Sequence, residues 1–315
     1  MTAKLLIAGL LLGNLTLANA RPRDVASDLM TKVKPGTIAY RDENGFLYSR
    51  NELEHVASGA IMPDADSSNN PLDAIKDFHD QLEKLGITLS LVPVPPKLAI
   101  HPCAGLKPGE AGKYLQEFYR QLTDAGINVI DLMPGWLEKN DQDIFCRTDA
   151  HWSPLGIEIA ADKIAGRISL RGDARYSCST KEITIVGDLL ASLDNNAEPT
   201  EKLTVRQVHE DVWSDDSPVL LLGDSHLLFF SVGGDMLADN AGLGEQLALK
   251  LQMPVERIAV RGSAANAARI NLFRKAARNP AWLKNKKYIV WCFSCREFNG
   301  TAGGWRQIPV MRPSN

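Results

Sequence analysis

The sequence predicts an α/β fold in which a mostly parallel sheet is covered by helices on both faces. Short apolar runs at 87–94, 219–222 and 288–293 are interpreted as strands. Continuous apolar runs are typical of strands that are buried on both faces, as in a parallel sheet. Segments with helical spacing of apolar residues separate these runs, and this alternation is the pattern of a doubly wound sheet.

The composition fits a folded globular protein. The chain has 315 residues, of which 44% are hydrophobic and 23% charged, and its formal net charge is −3. These values exclude a wholly disordered or collagen-like chain, and the length is ample for a large hydrophobic core. The slight negative charge offers no basic surface for nucleic acid, so we expect no nucleic-acid partner.

Residues 1–20 have the pattern of a secretory signal peptide. Lys4 precedes an apolar run at 5–12, and the small residues Ala18 and Ala20 flank Asn19. A membrane anchor is the alternative, but the run is too short to cross a hydrocarbon core of about 30 Å. We therefore expect cleavage after Ala20 and a single domain over 21–315 that works in the periplasm.

The elements of the first half are predicted from apolar spacing and from turn residues. They are a hairpin over 38–48 with an Asn44-Gly45 turn, a loop over 62–71, a helix over 72–85 ending at Gly86, the strand over 87–94, a helix through Tyr114, Phe118 and Leu122, and a strand at 128–132.

The second half continues the alternation. Its predicted elements are an extended piece at 144–147, a helix capped by Ser153 with Pro154 in its first turn, a strand at 183–186, the strand at 219–222, a helix through Leu243, Leu247 and Leu251, a strand at 257–260, a helix at 264–277 and the last strand. The rest of 171–215 is expected to be irregular.

Two polar clusters follow predicted strands, where sites form in such sheets. Gly223, Asp224, Ser225 and His226 come directly after the 219–222 strand. A serine on this turn has an exposed hydroxyl and nearby backbone N–H groups, as a nucleophile requires. The alternative is a helix cap that satisfies unpaired amides.

The second cluster contains Asp149, His151 and Trp152. Residues i and i+2 share one face of an extended segment, so the carboxylate can orient the imidazole. The alternative is a structural Asp–His pair that ties a loop to a helix. Together the clusters supply a nucleophile, a base and an orienting carboxylate. His226 is a rival base, but adjacent side chains usually point apart, so His151 is preferred over it.

Several stretches resemble the alginate O-acetyltransferase family (the AlgX/AlgJ type), whose domain is similar to SGNH hydrolases. In order, they are 44–48 (NGFLY), 92–97 (VPVPPK), 147–152 (RTDAHW), 222–225 (LGDS), 288–291 (YIVW) and 296–298 (REF). The resemblance covers most of 36–300. It departs from the family pattern at Ala150, where the family has threonine, and at His226, where an aromatic residue is more usual.

This resemblance implies an SGNH-hydrolase-like three-layer α/β/α fold and a periplasmic enzyme. Such an enzyme moves acetyl groups onto hydroxyls of an exopolysaccharide through an acyl-serine, without a cofactor. Carried over by position, Ser225 is the nucleophile, His151 the base and Asp149 its orienting group. The acetyl donor is expected to act through a membrane O-acyltransferase partner.

Four further residues are weaker candidates for substrate or oxyanion contacts. Gly262 and Asn266 follow the 257–260 strand and are compared with the oxyanion glycine and asparagine of SGNH enzymes. Arg261 is a candidate for contact with the acyl group or sugar, and Arg147 and Arg261 for local attraction of an anionic polymer. Turn and cap chemistry is the alternative for Gly262 and Asn266.

The sequence does not decide which role the five cysteines have. Cys292 and Cys295 have redox spacing but lie at the end of a strand rather than at a helix N-terminus, so structural or disulfide use is favoured. Four of the five cysteines could pair in an oxidising compartment. Histidine and cysteine spacings match no metal motif, so no metal is expected.

Two rival functions remain open at this point. The same triad could release acetate to water, as a carbohydrate O-acetyl esterase, if the site admits water to the acyl-enzyme. The fold could instead be a non-catalytic scaffold that binds polysaccharide, although the complete Asp149, His151 and Ser225 set argues against this.

Overall fold

A computed structural model describes residues 21–61, 70–301 and 303–312. The predicted signal peptide over 1–20 lies outside these residues, as does most of the predicted loop over 62–71. Across the part of the chain that is described, no helix combines the length and apolar character needed to cross a membrane.

The elements alternate as the sequence predicts. The strands are β1 (Ala39–Arg41), β2 (Leu47–Ser49), β3 (Thr88–Val94), β4 (Asn128–Val129), β5 (Cys178–Ile185), β6 (Glu201–Val208), β7 (Val219–Gly223), β8 (Glu256–Ala259) and β9 (Tyr288–Ser294). The helices are α1 (Pro22–Thr31), α2 (Arg50–Ser58), α3 (Pro71–Glu83), α4 (Lys97–Ile100), α5 (Lys113–Asp124), α6 (Met133–Leu137), α7 (Pro154–Ala165), α8 (Asp188–Leu193), α9 (Leu243–Leu251), α10 (Ala267–Arg278), α11 (Pro280–Lys284) and α12 (Glu297–Gly300).

The central sheet has the strand order β4-β3-β9-β7-β8, and every pair in it is parallel. The last strand of the chain, β9, therefore sits between β3 and β7. Leu91 pairs with Trp291 on one side of β9, and Leu221 pairs with Val290 on the other. The carboxyl ends of β3, β9 and β7 consequently lie side by side at one edge of the sheet.

The two large parts of the core lie one on each face of this sheet, and a small third cluster lies between β1, β2 and α8. Alternate residues of β7 divide between the two large parts: Val219 and Leu221 pack with α7 and α9, whereas Leu220 and Leu222 pack with α3, α5 and α10. The period of two along a strand explains the division. The sheet is thus the middle of three layers, and the predicted α/β/α architecture is confirmed.

Gly223 marks the point where β7 runs closest to β9. A Cβ atom at this residue would collide with the carbonyl oxygen of Cys292. Glycine is therefore required for β7 to keep its register at the end that leads into Ser225. The predicted hairpin at 38–48 is also confirmed, since β1 and β2 pair antiparallel and Gly45 has a φ of 86°.

The strand predicted at 183–186 coincides with the end of β5, but the expectation that the rest of 171–215 is irregular is wrong. Residues of β5 and β6 pair along their full lengths as an antiparallel hairpin. Most of the β5 side chains are exposed, so the strand has no apolar face to mark it in the sequence. Helices α1 and α2 were not anticipated either, because their buried residues are few and are interspersed with charged ones.

The sequence leaves the cysteines open between structural and disulfide use, and in the structure all five are free thiols. Cys292 packs into the core part that contains α7 and α9, and Cys295 packs into the other part. The two residues of the C-x-x-C spacing thus face opposite sides of the sheet, which prevents them from pairing. Their use is structural: both are buried.

Candidate active site

Ser225 is presented by a sharp turn after β7. Asp224 ends the extended segment, and a short 3-10 helix over Ser225–Leu227 begins immediately after it. The Oδ1 atom of Asp224 accepts a hydrogen bond from the backbone N–H of His226 at 2.9 Å. The turn therefore fixes the serine at the carboxyl edge of the sheet.

Ser225, His151 and Asp149 form a continuous hydrogen-bonded relay. The Ser225 Oγ lies 2.8 Å from His151 Nε2, and His151 Nδ1 lies 2.7 Å from Asp149 Oδ1. With Nδ1 donating to the carboxylate, Nε2 is left to accept the hydroxyl proton. The backbone N–H of His151 also donates to Asp149 Oδ1, at 3.0 Å, so the carboxylate and imidazole are held together twice.

The start of α8 supports the loop that carries Asp149. The N–H of Asp188 donates to Asp149 Oδ2 at 2.9 Å, and Asp188 Oδ1 accepts from the N–H of Ala150 at 2.8 Å. Gly187 lies so close to this loop that a Cβ atom there would collide with the backbone of Thr148. The start of α8 therefore packs so closely against this loop that residue 187 has no space for a side chain.

Glu201 and Lys97 also form hydrogen bonds with the loop that carries Asp149. Glu201 accepts from the Thr148 hydroxyl at 2.5 Å and from its N–H at 2.8 Å. The fully buried ammonium of Lys97 donates to the carbonyl oxygens of Asp149 at 2.5 Å and of Leu47 at 2.7 Å. Burial lowers the pKa of Lys97, while the nearby Glu52 carboxylate opposes that change.

Asp149 and His151 change each other's pKa in opposite directions. Burial alone would raise the pKa of the Asp149 carboxyl, but hydrogen bonds and the charge of His151 lower it to about 2. Burial alone would lower the pKa of His151, but the hydrogen bond and charge of Asp149 outweigh it, so the pKa is raised above 6.5. Asp149 is thus an anion at neutral pH that stabilises the protonated form of the imidazole.

Aromatic rings fix the plane of the His151 imidazole. The Phe229 ring stacks on it with centroids 4.5 Å apart and an angle of 16° between the planes. On another side, the His226 ring meets it edge-on at 4.9 Å, and Trp152 in turn contacts His226 at 5.1 Å. The imidazole therefore has little freedom to rotate away from Ser225.

A cavity of about 230 Å³ opens onto the relay. Its lining includes Ser225, His151, His226, Asp188, Arg296 and Ile38. Arg296 forms no ion pair within the described residues, whereas Ile38 is an apolar residue with 52% of its surface exposed. The cavity thus places a serine hydroxyl, two imidazoles and a guanidinium around one small volume.

His226, the rival base in the sequence, belongs to a second pair. Its Nδ1 lies 2.8 Å from Asp224 Oδ1, and His151 rather than His226 meets the Ser225 hydroxyl. Both histidines nevertheless line the same cavity.

The structure does not bring the four weaker candidates to this cavity. Arg147 pairs with Asp143, lies over the Phe46 ring and lines a separate, larger cavity of about 900 Å³. Arg261 pairs with Asp235 at the surface. The amide of Asn266 donates to the Gly304 carbonyl at 2.7 Å, and Gly262 is a turn glycine with a φ of 74°.

Sequence reasoning assigned no role to Lys97, Asp188, Phe229 or Arg296, although all contact or line the site. Lys97 and Arg296 follow β3 and β9, so the position just past a strand end was the available signal. Asp188 carried no comparable signal, because it lies 37 residues before the serine in a segment expected to be irregular. Phe229 is only four residues after Ser225, but an apolar residue there is equally typical of the core.

Asp149, His151 and Asp188 are also close enough to surround a cation, since one ligand atom from each lies within 4.8 Å of the others. The hydrogen bonds described above already use His151 Nδ1 and the carboxylate oxygens. The expectation that no metal binds at this site stays a prediction.

Comparisons with known proteins identify the family to which the domain belongs. The sequence model described as SGNH hydrolase-like domain, acetyltransferase AlgX, matches residues 41–295. The probable alginate O-acetylase AlgJ of Pseudomonas syringae is 34% identical over 145 residues, which are 45% of this chain and 35% of that protein. The probable alginate O-acetylase AlgJ of Pseudomonas fluorescens is 29% identical over 224 residues, which are 63% of this chain and 55% of that protein. The chain thus spans about a third to a half of the length of these curated relatives.

Solved structures give the same fold. The O-acetyltransferase domain of Pseudomonas putida AlgJ superposes with a TM-score of 0.62 at 23% identity, covering 83% of this chain and 92% of that one. Pseudomonas aeruginosa AlgX superposes with a TM-score of 0.55 at 18% identity, covering 81% of this chain and 61% of that one. At these identities the likeness concerns the fold alone.

Proposed function

Because the chain belongs to the family of SGNH hydrolase-like acetyltransferase AlgX domains, we propose that it is an O-acetyltransferase. It moves acetyl groups onto hydroxyls of an alginate-like exopolysaccharide through an acetyl-Ser225 intermediate. The observation that carries this proposal is the relay from Ser225 Oγ to His151 Nε2 and from His151 Nδ1 to Asp149. Nucleophile, base and orienting carboxylate are within hydrogen-bonding reach of one another, as nucleophilic catalysis requires.

The first step loads the serine. Ser225 Oγ attacks the carbonyl carbon of the acetyl donor while His151 Nε2 takes the hydroxyl proton. The tetrahedral intermediate then collapses, its bond to the leaving group breaks, and His151 returns the proton to that group. Asp149 stays ionised throughout and stabilises the imidazolium, in line with the low pKa of its carboxyl.

Two groups are candidates to stabilise the oxyanion of this intermediate. The N–H of Ser225 donates to no other group among the described residues. The Arg296 guanidinium lines the same cavity without an ion-pair partner in that part of the chain. Donors that are fixed before the charge develops are among the largest contributors to acyl-transfer rates.

The second step reverses the first with a carbohydrate hydroxyl. His151 Nε2 accepts the hydroxyl proton as the sugar oxygen attacks the acetyl carbon. The bond to Ser225 Oγ breaks, and the serine recovers a proton from His151. The acetyl ester is conserved, so transfer competes with hydrolysis only through water that reaches the same carbon.

The proposal extends to location and partners. The residue types of 1–20 match an export signal, which supports action outside the cytoplasm, in the periplasm. An acetyl donor supplied there by a membrane O-acyltransferase is the partner that the family resemblance implies. The exopolysaccharide acceptor is supported by the names of the AlgJ relatives.

The test compares three proteins: the unaltered chain, Ser225→Ala, and the matched control Ser27→Ala, whose side chain is exposed on α1. Each is incubated with an aryl acetate donor and a uronate oligosaccharide, and both acetylated sugar and free acetate are measured. We expect acetylated sugar from the unaltered chain and the control, and a loss of at least about a thousandfold in Ser225→Ala. Acetate without acetylated sugar would identify an esterase instead, and no turnover by any of the three would identify a non-catalytic scaffold.

A further inference from the structure

The cavity holds a second imidazole–carboxylate pair beside the relay. Asp224 Oδ1 lies 2.8 Å from His226 Nδ1 and accepts from the His226 N–H at 2.9 Å. Its other oxygen accepts from the N–H of Ser294 at 2.9 Å. Because a carboxylate only accepts hydrogen bonds, His226 Nδ1 carries the proton, and Nε2 of the neutral ring carries a lone pair.

The Nε2 atom of His226 has no hydrogen-bond partner among the described residues, although only 5% of the residue is exposed. Its ring lines the cavity that contains Ser225. Burial lowers the pKa of His226, and this outweighs the opposing charge of Asp224, so the ring is neutral at neutral pH. The Nε2 atom is therefore an accessible acceptor on the cavity wall, free to accept a hydrogen bond from a molecule bound there.

Packing does not require an imidazole here. The ring meets Trp152 and His151 edge-on, with centroids 5.1 Å and 4.9 Å away, contacts that a phenyl ring would also make. The Asp224 carboxylate is held by two backbone N–H groups independently of the ring. The nitrogen that faces the cavity is therefore the part of His226 that packing leaves unexplained.

The two histidines offer a matched pair of acceptors. Once Ser225 is acylated, its oxygen has no proton to donate, so His151 Nε2 is free to accept from the incoming hydroxyl. His226 Nε2 is the second acceptor in the same cavity. The centroids of the two rings are 4.9 Å apart, so two neighbouring hydroxyls of one sugar are the kind of donor pair that could meet both rings.

We propose that His226 is a specificity-determining residue that accepts a hydrogen bond from the hydroxyl next to the one being acetylated, so that the site selects a vicinal diol. This assignment rests on the proposed acetyltransferase function. It names the class of acceptor, which is a sugar unit with two adjacent free hydroxyls, and it gives His226 no part in loading the serine.

The test separates loading from transfer. With an aryl acetate and no sugar, the burst of phenolate reports acylation of Ser225. Transfer is then measured to a methyl uronoside with a vicinal diol and to its matched monodeoxy analogue, for the unaltered chain and for His226→Phe, which keeps the ring contacts. We expect the unaltered chain to prefer the diol by about tenfold, the effect of losing one hydrogen bond between sugar and protein. His226→Phe should lose the preference when transfer to each sugar is divided by the burst that the same variant gives.

Three outcomes would overturn the assignment. The unaltered chain could acetylate both sugars equally, a result that decides the question even if His226→Phe does not fold. The variant could keep the tenfold preference, or it could lose the burst itself, which would make His226 part of the loading machinery. If the unaltered chain shows no burst while Ser225→Ala transfers acetyl normally, the proposed function fails, and this assignment fails with it.

Discussion

The ammonium group of Lys97 donates a hydrogen bond to the carbonyl oxygen of Asp149 at 2.5 Å, from a position with no exposed surface. A second bond to the Leu47 carbonyl fixes the ammonium between two loops. Lys97 touches none of the reacting groups, so it is a positioning residue: it holds the backbone whose side chain orients His151.

The first prediction concerns Lys97→Met, which keeps most of the length and apolar volume of the side chain. Two buried carbonyl groups lose a charged donor, so we expect unfolding free energy to fall by about 2–4 kcal/mol. Displacement of Asp149 should lower kcat at least about tenfold with little change in KM, because alignment rather than donor binding is lost. Denaturant unfolding and steady-state kinetics on an aryl acetate measure the two effects. An unchanged kcat would show that Asp149 does not depend on Lys97.

The second prediction concerns the pH dependence of Asp149→Asn. The base must be neutral to accept the serine proton, so activity falls as pH drops through the pKa of His151. Asp149 raises that pKa above 6.5, and without the carboxylate burial lowers it. The acid limb of kcat/KM should therefore move to lower pH in the variant, while the plateau falls about 10³- to 10⁴-fold. A limb at the same pH in both proteins would mean that a different group is the base.

The third prediction tests the fit between α8 and the Asp149 loop. A Cβ atom at Gly187 would collide with the Thr148 backbone, whereas one at Gly300 would meet nothing within 4 Å. Gly187→Ala should therefore lower unfolding free energy by about 1–3 kcal/mol and reduce kcat together with it. The matched control Gly300→Ala should leave both quantities within error of the unaltered chain. Equal effects of the two substitutions would contradict the close approach at Gly187.

The fourth prediction concerns the thiols. All five cysteines are free, and Cys178 is the one with an exposed side chain. A thiol reagent should therefore modify five groups in denaturant without reductant, and one rapidly in the folded protein. Cys178→Ser should abolish the fast reaction. Fewer than five reactive thiols in denaturant would demonstrate a disulfide.

The sequence predicted the sheet best where strands are buried on both faces. β3, β7 and β9 are continuous apolar runs because helices cover both sides, and such runs are distinctive. Of the β5 and β6 hairpin, the sequence predicted only a strand at 183–186, because exposed polar residues occupy most of β5. The strand order could not be read from the sequence, since the insertion of β9 between β3 and β7 depends on packing between distant segments.

Some residues of the candidate site could likewise be predicted from local sequence patterns, and others could not. Asp149, His151 and Ser225 were found because their residue types and strand-end positions suffice to suggest a relay. Arg147 and Arg261 were candidates because of their charge and their places beside the 149–151 cluster and the 257–260 strand, but each forms an ion pair outside the cavity. The supports of the relay, including Lys97 and Asp188, come from segments 38 to 52 residues away from the loop they hold, and local patterns carry no information about such contacts.

The most direct test of the central claim is to trap the acetyl group. The unaltered chain is mixed with an aryl acetate in the absence of sugar, quenched in acid within the burst, and mapped by peptide mass spectrometry. We predict one acetyl group, on Ser225, that disappears when a uronate oligosaccharide is added before the quench. An acetyl group found on another residue, or undiminished sugar acetylation by Ser225→Ala, would contradict the claim that Ser225 carries the acetyl group between donor and acceptor.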